Sequence, residues 1–215
     1  MQKDSNAVNE WQTIDHVLAY LARADKLPHR TEGERVLLDQ IPKHTNRVLD
    51  LGTGDGRLLS LVKLVRPKAE GVALDFSEPM LERARARFAQ DAHVSVIKHD
   101  LSLPLPSEQL GNFDVVVSSL AIHHLEHSRK RQLYKEIFGL LNPKGVFCNL
   151  DRVASPTDNL HNKFIMVSGT PKTEDPSNKL LDVETQLRWL RKISFTDVDC
   201  YWKWLEIALF VGFKS

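Results

Sequence analysis

VLDLGTGDGRLL, Val48–Leu59, decides the fold. An apolar run, an aspartate, three glycines at alternate positions and the start of a helical repeat follow one another without a gap. Arg47 to Leu51 reads as a short strand, and Leu58, Leu61, Val62 and Val65 recur at helical spacing until Pro67 stops them. The unit is strand, glycine turn, helix. A dinucleotide fingerprint would put its third glycine where Arg57 stands, so the spacing departs from that pattern. A pyrophosphate at this turn would also meet Asp50. Two like unit charges about 4 Å apart, at an effective dielectric near 20, repel by roughly 4 kcal/mol. No Gly-Lys-Ser or Gly-Lys-Thr closes the turn, which excludes the P-loop. The loop suits a ligand that brings a cation to the glycines.

Working outward, the same unit repeats. Gly71 to Asp75 reads as a second strand, followed by Ser77 as a helix cap, Pro79 in the first turn, and Met80, Ala84 and Phe88 on one face. Val94 to His99 is a third strand. Phe113 to Ser118 is a fourth, with Val115, Val116 and Val117 in the unbroken apolar run of a strand buried on both faces. Leu133, Ile137, Leu140 and Leu141 mark the next helix, which Asn142-Pro143-Lys144-Gly145 breaks. Val146 to Leu150 then forms a fifth strand ending at Asp151 and Arg152. Ala154 to Asn178, rich in Pro, Ser, Thr and Asp, is a poor core former and reads as a mobile cover. Asp182 starts a helix through Trp189, and Val198–Trp204 with Glu206–Phe213 reads as a closing antiparallel hairpin. The expectation is an α/β fold, a doubly wound and mostly parallel sheet with helices on both faces, whose ligands sit at the carboxyl ends of the strands.

Nothing divides the 215 residues into more than one domain, and 42% hydrophobic with 27% charged residues is ordinary for a globular chain. A formal net charge of +1 offers no basic surplus for a phosphate backbone, so nucleic acid is a weak candidate partner. Cys148 and Cys200 sit beside apolar or aromatic residues and read as buried free thiols. The first residues lack the apolar core of a signal peptide and no run could span a bilayer, so the expected location is the cytoplasm, without membrane contact. No cluster of side chains has metal-ligand spacing. The state could be monomer or homodimer.

A ligand with a cation near the glycines and a ribose further out fits Asp50 and Asp75 together. Asp50-Leu51-Gly52-Thr53-Gly54-Asp55-Gly56, the acid Asp75 at the end of the second strand and Asp100-Leu101 after the third resemble the motifs of the class I S-adenosylmethionine-dependent methyltransferases. The resemblance runs from about Arg47 onward. It implies a seven-stranded Rossmann-like sheet, S-adenosyl-L-methionine as cofactor and S-adenosyl-L-homocysteine as product. It further implies that Asp50 and the turn residues Gly52, Thr53, Gly54 and Gly56 meet the methionine end and that Asp75 accepts from the ribose hydroxyls. Asp100 would take the adenine amino group, Leu101 would flank the ring, and Phe76 and Met80 would pack on its other face. Ser118, at the end of the fourth strand, joins the cofactor set. Segment 1–45 would fold as a helical cover and 154–180 as a substrate-side lid. Tyr20, His29 and Arg30 lie in that cover, and Arg30 is the candidate grip for the cofactor's carboxylate, a task that suits a guanidinium.

The stretch Ser118-Ser119-Leu120-Ala121-Ile122-His123-His124-Leu125 would border the methyl-transfer chamber. An imidazole with an ordinary pKa near 6.5 can take a proton from a hydroxyl at neutral pH, so His123 or His124 is the candidate base; Asp151 could orient it or bind substrate, with helix capping or pairing with Arg152 as equal alternatives. The plain alternative is one histidine capping a helix and the other buried and hydrogen-bonded. Amino-methyltransferases acting on adenine or glutamine usually carry Asn/Asp-Pro-Pro-Tyr/Phe here, and Ser118-Ser119-Leu120-Ala121 departs from it. A small-molecule acceptor with an oxygen nucleophile is favoured; tRNA, a protein acceptor, a non-catalytic cofactor binder and an NAD-dependent oxidoreductase are the alternatives. Arg83, Arg85 and Arg87, and the run Arg129-Lys130-Arg131, read as solvated surface. Trp189, Trp202 and Trp204 read as core.

Overall fold

The computed structural model describes residues 27–170 and 175–215; segment 1–26, which contains Tyr20, and segment 171–174 lie outside the described residues. In chain order the elements are α1 (Arg30–Asp39), β1 (Arg47–Leu51), α2 (Arg57–Val65), β2 (Glu70–Asp75), α3 (Glu78–Arg87), β3 (Val94–Lys98), α4 (Ser107–Leu110) and β4 (Phe113–Ser119). A 3-10 turn (Ile122–His124) follows, then α5 (His127–Leu140), β5 (Leu141–Arg152), α6 (Asp158–Ser168), α7 (Val183–Ile193), β6 (Thr196–Trp204) and β7 (Ile207–Phe213).

Among the described residues seven strands form one sheet in the order β3-β2-β1-β4-β5-β7-β6. The first five run parallel; β7 is antiparallel to both β5 and β6. The order reverses between β1 and β4, so their carboxyl ends open the crevice in which an α/β sheet holds ligands.

Side-chain alternation builds two cores. Val115 and Val117 of β4 pack with Leu37, Leu59, Cys148 and Val211 on one face, while Val116 joins Leu49, Leu74, Ile137, Phe147 and Leu190 on the other. That is why β4 reads as an unbroken apolar run: both of its faces are covered by helices. At the outer edge β3 has one covered face at most, and Ile97 there is exposed.

Several sequence boundaries shift. The predicted break at Asn142–Gly145 ends α5, yet β5 already starts at Leu141, which pairs with Phe113 before the register slips and resumes at Val115–Val146. Lys144 adopts a left-handed φ of 65° in this irregular stretch. The stretch expected to be a poor core former and a mobile cover contains α6. The Thr157 hydroxyl accepts from Leu160 N at its start, and Phe164 is buried, with the Arg152 guanidinium over its ring at 4.8 Å and the Trp204 ring 6.0 Å away. The Arg129-Lys130-Arg131 run is not a solvated face, because Lys130 is buried. Both cysteines are free; Cys148 is buried and Cys200 only half-buried. No helix among the described residues is long and apolar enough to cross a membrane.

Candidate active site

The glycine turn bends at the end of β1 because Gly52, Gly54 and Gly56 all take positive φ. At Gly52 the reason is close approach as well as φ: a Cβ there would stand 2.2 Å from that of Ala121. The turn is stitched to β2 by Thr53 N donating to Leu74 O at 2.9 Å and Gly54 N donating to Asp75 Oδ2 at 2.8 Å. Arg87, read as solvated, donates from Nε to Asp55 O at 2.7 Å and pairs with the Asp55 carboxylate, bracing the turn from α3.

A cavity of about 320 Å³ opens here, lined from the sheet side by Asp50, Gly52, Thr53, Gly54, Asp75, Phe76, Met80, Asp100 and Leu101. Asp50 is almost fully buried. Its Oδ2 accepts from the Thr53 hydroxyl at 2.6 Å, while Oδ1 has no hydrogen-bond partner among the described residues. Burial pushes its carboxyl up to about 7, helped by the nearby carboxylates of Asp75 and Asp55 and opposed by the Thr53 hydroxyl and the Leu59 backbone. Burial also raises Asp75, against the backbone N–H groups of Ser77, Gly54 and Phe76. Two buried acids facing one cavity, one with an orphaned oxygen, fit a ligand that carries an ammonium and hydroxyl donors. Asp100 is exposed; its Oδ1 accepts from Ser102 N at 2.8 Å, which shapes the loop that puts Leu101 on the wall.

Arg30 and Arg57 line the same cavity, and Glu34 lies between them. Arg30 Nε donates to Glu34 Oε1 at 2.9 Å, while Arg57 donates through Nε and Nη2 to both oxygens at 2.8 Å. Glu34 is buried, and its one carboxylate is shared by two guanidiniums beside the turn. Sequence reading found Arg30 but missed Glu34 and Arg57. An i,i+4 Arg–Glu pair in Arg30–Glu34 was a usable signal; the third member sits 23 residues on.

Two predicted cofactor residues stand elsewhere. Ser118 is buried and its hydroxyl donates to Leu51 O at 2.7 Å; the next residue, Ser119, lines the cavity instead. Gly56 is not on the wall either. A Cβ there would lie 2.5 Å from Phe88 Cε2, so this glycine lets α2 and α3 close on each other.

The remaining wall holds the histidines, and it separates them. His124 lines the cavity with Leu120, Ala121, Leu125 and Ser177. His123 is buried behind it, its Nδ1 2.6 Å from Asp151 Oδ1 and its ring centroid 4.0 Å from that of His124. Asp151 therefore orients a histidine as expected, but the inner one. Lys130 Nζ donates to the carbonyls of His123 at 3.1 Å, Leu125 at 2.7 Å and Lys179, so its three protons tie the 3-10 turn to segment 175–179. Burial lowers this ammonium to about 8, although Asp151 and Glu126 pull the other way. Nothing in a basic tripeptide announces such a clamp.

Comparison with known proteins agrees with this geometry. Residues 48–145 match the family described as "Methyltransferase domain". A demethylmenaquinone methyltransferase from Clavibacter sepedonicus is 30% identical over 175 residues, covering 74% of this chain and 69% of that protein. An uncharacterized methyltransferase from Mycobacterium tuberculosis is 38% identical over 111 residues, covering 51% of this chain and 52% of that protein, so the match spans about half the length of this relative. Among solved structures, human N-acetylserotonin methyltransferase in complex with S-adenosylmethionine superposes with a TM-score of 0.67 at 16% identity, over 95% of this chain and 57% of that one. With the glycine turn, its buried acids and the sheet order in place, the chain belongs to the class I S-adenosylmethionine-dependent methyltransferase family.

Proposed function

We propose that this domain transfers the methyl group of S-adenosylmethionine to an oxygen nucleophile on a small molecule, with His124 as the general base. One observation carries the reading: a single cavity is lined by Asp50, Asp75 and Asp100 and also by the His124 ring. When bound, the cofactor supplies a methyl group on a sulfonium whose leaving thioether is neutral, so no acid is needed at the leaving group. The chain's own residues have three tasks. Asp50 and Asp75 hold the ammonium and ribose ends; Arg30 and Arg57 offer the carboxylate its counter-charge; His124 takes the proton of the nucleophile. His123, fixed by Asp151, supports the outer ring rather than touching the acceptor. Positioning supplies much of the catalysis.

A small acceptor is supported by the near-neutral charge of the chain and by two relatives named for small molecules. Oxygen is supported by Ser118-Ser119-Leu120-Ala121, which lacks the Pro-Pro element of many amino-methyltransferases. Calorimetry should find binding of S-adenosylmethionine and its demethylated product and none of NAD. Labelled methyl should then move to a component of a metabolite extract. His124→Ala should reduce that transfer by about 10²–10⁴-fold, the worth of a general base. Unchanged transfer in the variant removes His124 from the role, and label appearing only in RNA or protein removes the small acceptor.

A further inference from the structure

The two basic neighbours of Lys130 part company. Arg131 is exposed, whereas Arg129 turns inward and pairs with Glu136, two helical turns further along α5, leaving their side chains only 13% and 16% exposed. The pairing is bidentate: Nη1 donates to Oε1 at 2.7 Å and Nη2 to Oε2 at 2.8 Å. The same guanidinium donates from Nε to Leu101 O at 2.8 Å and from Nη2 to Leu103 O at 2.7 Å. Glu136 Oε2 in turn accepts from Leu105 N at 3.1 Å. One ion pair thus serves two carbonyls and one N–H of a single loop, with four of the guanidinium's five donors engaged.

That loop needs an outside support. It leaves the outermost strand, β3, beyond the last paired residue, Lys98, so no ladder satisfies its backbone. Within it Leu103 N donates to Asp100 O at 3.0 Å and Ser102 N to Asp100 Oδ1 at 2.8 Å, while Pro104 has no N–H to give. Leu101 and Leu105 are buried in the core that α5 covers. On its other side the loop faces the cavity with Asp100, Leu101 and Ser102; neither Arg129 nor Glu136 lines that cavity. Asp50, Asp75 and Asp100 stand at the carboxyl ends of the neighbouring strands β1, β2 and β3. A ligand with its ammonium at the first and its ribose at the second therefore brings its base to the third.

We propose that Arg129 and Glu136 are positioning residues that hold the Asp100–Leu105 loop in the shape that selects adenine, by keeping the Asp100 carboxylate where it accepts from the 6-amino group. The inference rests on the reading of the cavity as an S-adenosylmethionine site with its base at Asp100. A hydrogen bond weakens steeply with distance and angle, whereas apolar contact with Leu101 tolerates a small slide. Loosening the loop should therefore cost the amino group more than the rest of the ring. Lys130, the next residue of α5, holds the carbonyls of His123 and Leu125 on the opposite wall, so adjacent residues of one helical turn brace both sides of the cavity.

The test is a ratio of affinities, measured by calorimetry on the full chain with S-adenosyl-L-homocysteine and with its analogue in which hydrogen replaces the 6-amino group. Wild type should prefer the amino ligand about 10–100-fold, the worth of a hydrogen bond to a charged group. Arg129→Met should bring that preference below about threefold. Glu136→Gln, a milder change that keeps an acceptor for Leu105 N, should give an intermediate preference and decides the matter if the first variant fails to fold. Arg131→Met, on the same helix but exposed, should match wild type. A purely structural role lowers both ligands together and leaves the ratio as it was, so an unchanged ratio in Arg129→Met or Glu136→Gln, or an equal fall in Arg131→Met, overturns the proposal. A wild type with no preference removes Asp100 as the contact for adenine and with it the selection. Hydrogen exchange of the Ser102 and Leu105 amides then separates the brace from that reading: acceleration in Arg129→Met alone keeps the brace, and unchanged exchange overturns it as well.

Discussion

On the glycine side of the cavity the braces at Asp50 and Asp75 are short, although Arg87 reaches back to Asp55 over 32 residues. Thr53 reaches Asp50 three residues back, and Gly54 reaches Asp75 at the end of the adjoining strand. On the histidine side they are long: Asp151 lies 28 residues from His123, Lys179 lies 49 from Lys130 and Ser177 lies 53 from His124. The first wall is built on a backbone turn bent by positive φ, and its Asp50–Asp75 part is complete once two neighbouring strands have paired. The second is assembled from side chains and carbonyls that meet only when the chain after β5 has folded back. A wall of the first kind can serve a constant ligand, while one of the second kind can change its acceptor by changing a loop.

The hardest blow to the rigid wall is Gly52→Ala. It combines a left-handed φ of 67° with a Cβ 2.2 Å from that of Ala121. Left-handed strain and overpacking together should cost about 2–5 kcal/mol, read as a lower melting temperature and loss of cofactor binding. A protein that melts like the wild type would show this wall to be far more plastic than its geometry.

Asp50→Asn separates stability from binding on the same wall. Because burial raises the folded carboxyl from 3.8 to about 7, its contribution to stability is complete below pH 4 and is lost as pH rises through 7. The asparagine variant should therefore melt higher than wild type at pH 8 and alike below pH 4. It should bind S-adenosylmethionine about 10–100-fold more weakly, the worth of a hydrogen bond to a charged group. Equal affinity would mean that the orphaned oxygen is not what receives the ammonium.

The smallest effect is local. Lys130→Met removes one donor from each of three carbonyls, and exchange of the Leu125 and Lys179 amides should quicken about tenfold, or about 1.4 kcal/mol of local opening. The Thr53 and Gly54 amides should keep their protection. Equal acceleration on both sides would erase the distinction between the walls.

The same contrast explains what could be read in advance. Asp50, Gly52, Gly54, Asp75 and Asp100 were visible because each stands at or just beyond the carboxyl end of a strand, so pattern and position coincide. Ser118 and Ser119 were not separable: a strand apolar on both faces gives no parity, and a slip of one residue exchanges the side chain on the wall for the one bonded to Leu51 O. The third member of the Arg30–Glu34–Arg57 trio, and Ser177 beside His124, belong to contacts that no local period encodes. Composition misled at α6, where one buried Phe164 and the Thr157 cap outweigh a polar surrounding. It misled again at Lys130, whose charge is satisfied by carbonyls rather than by water.

The place of β7 reaches into biosynthesis. β7 follows β6 in the chain yet lies inside the sheet, between β5 and β6, and Lys214 just beyond it donates to the carbonyls of Phe138 at 2.8 Å and Leu141 at 2.6 Å, at the junction of α5 and β5. While the ribosome is still extending the nascent chain through β6, β5 shows a bare hydrogen-bonding edge to whatever is nearby. Synthesis must pass through Ile207–Phe213 before that edge can be sealed, whereas the glycine turn is braced by strands made earlier.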